Sequence, residues 1–166
     1  MMRRGQRKVA HRWAAIALVF GLQSEFAFAA TANTTFTVSV AVPATCVISA
    51  TALSFVAYTG VVDVATSSIS MTCSNTTKYN VGLNAGLASG ATVSTRRMSS
   101  GASLLSYSLY SDASRTLNWG QTVGTDTVTG TGNGTAQVLT VYGRVPAGQF
   151  VTPGNYNDTV IATVTY

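Results

Sequence analysis

From Thr34 to Val42 apolar and polar positions alternate, with Phe36, Val38, Val40 and Val42 on one side and Thr35, Thr37, Ser39 and Ala41 on the other. That period of two predicts an extended strand close to the N-terminus. The same period returns in Ile69, Met71 and Cys73, in Tyr79, Val81 and Leu83, in Leu105, Tyr107 and Leu109, in Leu139, Val141 and Gly143, and in Val160, Ala162, Val164 and Tyr166. Turn-forming residues fall between these runs, at Asn84-Ala85-Gly86, Ser99 to Ala102, Gly120 to Gly134 and Pro153-Gly154-Asn155; glycine supplies positive φ there and proline a fixed one. No helical stripe interrupts the series. Short strands at this spacing predict an all-β domain, a two-sheet sandwich of immunoglobulin-like type. The last run is expected to leave a strand edge that something must cover, because an open apolar edge invites aggregation.

The segment before Thr34 has a different character. Arg3, Arg4, Arg7, Lys8 and Arg12 precede the apolar run Ala14 to Leu22 with no acid among them, and Ala27-Phe28-Ala29 supplies small residues for cleavage. This predicts a secretion signal over residues 1–29, with a cut after Ala32 as the second choice. The run is too short for a comfortable membrane span. Most of the formal charge of +5 belongs to this leader: beyond residue 29 stand Lys78, Arg96, Arg97, Arg115 and Arg144 against Asp63, Asp112, Asp126 and Asp158. So near-neutral a chain is not the electrostatic footprint of a nucleic-acid binder. Of the 166 residues, the 137 after residue 29 suffice for one domain with its own core.

His11 and Glu25, the only histidine and glutamate, both lie in the leader. Nucleophile-histidine arrangements lack their imidazole, and paired-carboxylate hydrolysis would have to come from four scattered aspartates. Metal binding lacks histidine ligands, and Cys46 and Cys73 do not form a CxxC pair. No enzymatic activity, metal or cofactor is therefore expected. The two cysteines, in an exported chain, are expected to bridge; a reactive pair would need a positive or helix-terminal setting that their neighbours do not offer. With 26 residues between them, closing that loop is worth about 3 to 4 kcal/mol.

Three further features carry expectations. The tract from Gly120 to Thr135 lacks the lysine and following helix of a phosphate loop, so it is read as a flexible surface loop. Arg96-Arg97 is read as a solvated pair on a strand edge, where charge discourages stray pairing. Trp119, Tyr107 and Tyr110 are read as core and loop-anchoring aromatics in preference to a sugar platform.

Five blocks together resemble the spore coat protein U domain proteins, which include the Csu-type archaic chaperone-usher pilins. They are the N-terminal strand leading to Cys46, the partner Cys73, Leu104 to Gly120 (LLSYSLYSDASRTLNWG), Thr135 to Tyr156 (TAQVLTVYGRVPAGQFVTPGNY) and Tyr156 to Tyr166 (YNDTVIATVTY). The resemblance implies an incomplete, six-stranded immunoglobulin-like sandwich over residues 44–166, preceded by a donor segment at 30–43. It implies that Phe36, Val38, Val40 and Val42 are lent to another subunit. Val160, Ala162, Val164 and Tyr166 would then lie along the accepting groove. Expected partners are identical or related pilin subunits, a periplasmic chaperone and an outer-membrane usher, with export through the periplasm to the cell surface for attachment and biofilm formation. Periodicity alone leaves open whether Thr34 to Val42 is donated or folds back as a first strand. The alternatives are a coat protein of the same fold and, in another class, a monomeric carbohydrate-binding module.

Overall fold

The computed structural model describes residues 28–166; the expected secretion signal lies outside them but for its last two residues. The chain divides after Val40 into two units. In the first, residues 28–40 form no strand and are exposed throughout. The second, Ala41–Tyr166, holds eight strands and no helix among the described residues.

These strands are β1 (Cys46–Ala50), β2 (Asp63–Cys73), β3 (Lys78–Leu83), β4 (Arg96–Ser100), β5 (Ser103–Tyr110), β6 (Val128–Thr131), β7 (Ala136–Val145) and β8 (Ala162–Thr165). They build a five-stranded sheet in the order β1-β2-β7-β5-β4 and a three-stranded sheet in the order β6-β3-β8, and every pairing is antiparallel. Because successive side chains on a strand point to opposite faces, the alternation in sequence becomes the core. Ile69, Met71 and Cys73 of β2, Leu105, Tyr107 and Leu109 of β5 and Val141 and Val145 of β7 are buried opposite Tyr79, Val81 and Leu83 of β3. Trp119, fully buried, closes this interior and donates its indole N–H to the Val81 carbonyl at 2.8 Å.

The sandwich class expected from the sequence stands, with eight strands where the resemblance implied six. Three of the strands, β1, β4 and β6, lie outside the alternating runs. β4 joins β5 through the two-residue loop Gly101-Ala102, which starts at a positive φ of 58° on Gly101; glycine adopts that conformation without strain. β6 corrects the flexible-loop reading of Gly120 to Thr135: Val128–Thr131 pairs with β3, with Gly130 opposite Tyr79. A β-carbon at Gly130 would overlap the Tyr79 phenol, so the missing side chain lets that ring lie across β6. The run into β6 is pinned by Asp126, whose carboxylate accepts the Thr122 N–H at 2.7 Å and whose carbonyl accepts the Gly120 N–H at 2.9 Å.

Arg96 is the second correction. It is not solvated but fully buried in β4, because its position alternates with the outward ones and its partner across the ladder is the inward Tyr107. Its guanidinium donates to four main-chain carbonyls, those of Asn84 (2.8 Å), Val93 (2.7 Å), Leu83 (2.9 Å) and Trp119 (2.6 Å). Burial pulls its pKa down from the usual arginine value, opposed by the fields of Tyr107, Asp158 and Asp126. The five donors of a rigid fork suit a cluster of carbonyls left over where β3 ends.

Candidate functional site: an open groove beside the last strand

The site follows from where the two sheets stop. β8 is the outer member of its sheet: Val164 pairs with Val81 and Ala162 with Leu83, and no strand of the described residues pairs with its other side. On the facing sheet the outer member is β1, which among the described residues pairs only with β2. Cys46 lies directly across that ladder from Cys73, and the two are joined in a disulfide, S–S 2.04 Å. A sandwich with both of these edges open on the same side exposes a lengthwise path into its core.

Past β1 the chain makes one more pairing, the Thr51 N–H to the Ser68 carbonyl at 2.9 Å, and then leaves the sheet. Leu53, Phe55 and Tyr58 turn inward and are half-buried while Ser54, Val56 and Ala57 are exposed. Glycine makes room for this crossing: a β-carbon on Gly143 would stand 2.8 Å from the Phe55 ring and 2.9 Å from a Leu53 methyl. Phe55 also meets Tyr107 edge-on, with ring centroids 6.4 Å apart. Tyr58 fixes the far end, donating its hydroxyl to the Pro146 carbonyl at 2.7 Å and accepting the Gln149 N–H at 3.1 Å.

The opposite wall is the approach to β8. Asn157 exchanges two main-chain hydrogen bonds with Ser99, at 2.9 and 3.1 Å. Tyr156 donates to the Thr152 carbonyl at 2.6 Å. Asp158 gathers the Tyr107 hydroxyl (2.7 Å), the Leu87 N–H (2.8 Å) and the Thr159 N–H (2.8 Å). Burial, the hydrogen bond to Asp158 and the field of that carboxylate together raise the pKa of Tyr107 well above the usual tyrosine value, against a smaller lowering by Arg96.

Between the walls runs a cleft of about 460 Å³ with Leu53, Phe55, Met98, Tyr156, Val160 and Ala162 along its sides and Ile69, Leu83, Leu109 and Val141 at its floor. It is continued by a wider one of about 890 Å³ between Val56–Gly60 and Gln149–Asn155; Leu53, Phe55, Met98 and Tyr156 belong to both. This is the mould of an extended segment: apolar side chains below, with the free edge of β8 on one side and, on the other, the Leu53–Phe55 main chain that no strand among the described residues pairs.

Of the residues singled out in the sequence, Val160 and Ala162 line the cleft, and Val164 faces inward beyond its end, opposite Val81. Tyr166 lies past the end of β8 and is 58% exposed. Phe36, Val38, Val40 and Val42 are 86, 81, 88 and 83% exposed and belong to no strand. Sequence reasoning missed Leu53, Phe55, Met98 and Tyr156. The first two alternate across Ser54, a signal too short to register without flanking turns. Trp119 and Tyr107 are core residues as expected, whereas Tyr110 lies on the outer face of β5. Among the described residues no three His, Cys, Asp or Glu side chains come together as a metal site.

Fold and groove define a class: an immunoglobulin-like sandwich open along one edge. The sequence profile of the Spore Coat Protein U domain matches residues 32–163, and the chain belongs to that family. It is 44% identical over 107 residues to Protein U of Myxococcus xanthus, an overlap covering 61% of this chain and 59% of that protein. Its fold is similar to a chain in the crystal structure of the CsuC–CsuE chaperone–tip adhesion subunit pre-assembly complex, from archaic chaperone-usher Csu pili of Acinetobacter baumannii. There the TM-score is 0.58 at 25% identity, with 75% of this chain and 40% of that one covered. The chain thus spans less than two thirds of either relative, 59% of the one and 40% of the other. Its family is one of structural, non-enzymatic subunits of exported surface assemblies.

Proposed function

We propose that this protein is a pilin-type subunit of a chaperone-usher pathway, and that its residues Thr34 to Val42 complete the open edge of a second subunit. The observation that carries the reading is the cleft itself, roofless between Leu53–Phe55 and Val160–Ala162, in a chain whose N-terminal segment presents four exposed apolar side chains at strand spacing. A segment laid along β8 would give that strand its second neighbour and put Phe36, Val38, Val40 and Val42 over the cleft floor. Burying four such side chains contributes about 6 to 12 kcal/mol before the cost of ordering the segment, and main-chain hydrogen bonds add to it. Until a neighbour arrives, the open edge needs a temporary partner, the role we assign to a periplasmic chaperone, with an outer-membrane usher assembling the fibre at the cell surface. Attachment and biofilm formation are the uses such a fibre would serve.

The identity with Protein U and the family's name favour a second reading, in which the same strand exchange builds a coat layer instead of a threaded fibre. Genes for a chaperone and an usher beside this one distinguish the first reading from the second. The test common to both is to produce the chain in a periplasm, with and without residues 30–43, and run the products unheated on a denaturing gel. Detergent-resistant ladders that vanish on truncation are the expected result. A stable monomer from the intact chain, weakened by the truncation, would mean that the segment completes its own sandwich.

A further inference from the structure

The outer face of the five-stranded sheet, away from the groove, gathers aromatic rings and cations. Tyr142 of β7 sits directly across the ladder from Tyr110 of β5, and in the next row Arg144 stands across from Ser108. All four alternate with buried positions and so face outward. From the turn after β5, Arg115 reaches over the Tyr142 ring, its guanidinium carbon 5.7 Å from the centroid.

Arg115 is held there. Its backbone takes the left-handed conformation, φ 57°, which a residue with a β-carbon adopts only at some cost. Its Nε donates to the Gly143 carbonyl at 3.1 Å and its Nη1 to the Ala113 carbonyl at 3.1 Å. Nη2 makes no hydrogen bond within the described residues, and Arg144 is exposed and makes none.

Three of the four carboxylates beyond residue 29 lie elsewhere. Asp63 takes an inward position opposite Val145, Asp126 pins the loop into β6 and Asp158 stands in the groove wall. Asp112, at the margin of the patch, is occupied by the Leu117 N–H at 2.7 Å and by Thr116 through both its N–H and its hydroxyl. Arg115 and Arg144 against the single peripheral carboxylate of Asp112 leave the face net cationic although the domain as a whole is nearly neutral.

We propose that this face, centred on Tyr110, Tyr142, Arg115 and Arg144, binds an acidic polysaccharide. Two half-buried phenols beside the arginines, Tyr142 with one face under Arg115, give a sugar ring apolar surface to rest on next to the charge. Arg144, with its whole guanidinium free, can match a carboxylate in a two-pronged hydrogen bond, and Arg115 adds its remaining Nη2 donor in a fixed orientation. Nucleic acid suits the face less well. A phosphate polymer draws its affinity from many neutralised charges, and this domain carries only four cations besides the buried Arg96. The site is independent of the strand-exchange reading, since no residue of the groove belongs to it.

The test is gel retardation of the chain produced in a periplasm, free of the cationic leader, by polygalacturonate, by neutral dextran and by duplex DNA. Polygalacturonate should retard it, dextran should not, and DNA should bind more weakly. R144Q, which removes an exposed side chain without internal partners, should weaken the polygalacturonate complex roughly tenfold. R115Q should do the same, and K78Q, on the other sheet, should change nothing. Parental binding by R144Q with its melting temperature intact, an equal loss in K78Q, no retardation by polygalacturonate, or DNA binding as tight as polygalacturonate binding would each overturn the proposal. Because R144Q disturbs no internal contact, it decides the matter even if R115Q folds poorly.

Discussion

A single side chain, Arg96, holds together the place where β3, β4 and the Trp119 loop converge, since its four carbonyl acceptors come from Leu83, Asn84, Val93 and Trp119. An apolar replacement removes the cost of burying a charge but strands those acceptors, and each stranded acceptor costs about 1–3 kcal/mol. R96M should therefore lose about 3 kcal/mol in chemical denaturation, and R96K, whose compact ammonium cannot span four acceptors, should recover only part of it. Parental stability in R96M would show that those carbonyls find other donors. Tyr107, 5% exposed, makes a pH-dependent contribution. Its folded pKa lies above the unfolded value near 10, so the native state keeps the proton longer. Stability from this group is full below about pH 10 and declines above it as the unfolded phenol ionises, by at most about 1.4 kcal/mol per pH unit. Denaturation midpoints measured between pH 8 and 11 should fall more steeply at the alkaline end for the parent than for Y107F; parallel curves would refute the assignment.

At the scale of elements the groove depends on the crossing of Leu53 and Phe55 over Gly143, where a β-carbon would stand only 2.8 Å from the Phe55 ring. G143V must push that segment outward or bend β7, and overpacking of this kind typically costs 1–3 kcal/mol. Its melting temperature should drop by several degrees while the disulfide still forms, because Cys46 and Cys73 lie at the other end of β2; an unchanged melt would mean that the segment is free to lift. The legibility of the sequence divides along similar lines. Strands β2, β3, β5 and β7 were readable because each carries at least three alternating apolar residues bounded by turns, and the core is made of those residues. β6 was hidden, since four residues including Gly130 cannot show a period and the tract around them is rich in glycine and threonine. Arg96 misled because two adjacent arginines look like surface, and only the ladder partner, Tyr107, reveals that one faces in. The groove was half legible: Val160 and Ala162 followed from the terminal alternation, but Leu53 and Phe55 act as an unpaired wall, whose identity depends on which strands are absent beside it.

For the whole molecule the decisive quantity is how much an added strand stabilises the domain, because an exchange joint is a binding reaction coupled to folding. A ligand that binds only the native state stabilises it by RT ln(1 + [L]/Kd), about 2.7 kcal/mol at a hundredfold excess over Kd. A chain lacking residues 30–43, kept folded at low temperature, should therefore melt at a higher temperature when a synthetic peptide of the sequence Thr34 to Val42 is supplied, and the shift should grow with peptide concentration. Placing aspartate at both Val38 and Val40 of the peptide should abolish the shift, since two carboxylates would enter an apolar cleft without partners. A second control resides in the acceptor: A162W fills the cleft between Val160 and Phe55 and should leave the truncated chain insensitive to peptide, with its outward-facing neighbour Thr163 replaced in a parallel variant as the neutral comparison. If the unmodified peptide shifts the melt no more than its aspartate variant, the cleft does not accept this strand, and the four exposed side chains of the N-terminal segment must serve some other contact. If the shift is present and A162W removes it, the residues that bind and the residues that are bound have both been located, with no fibre needed to see them.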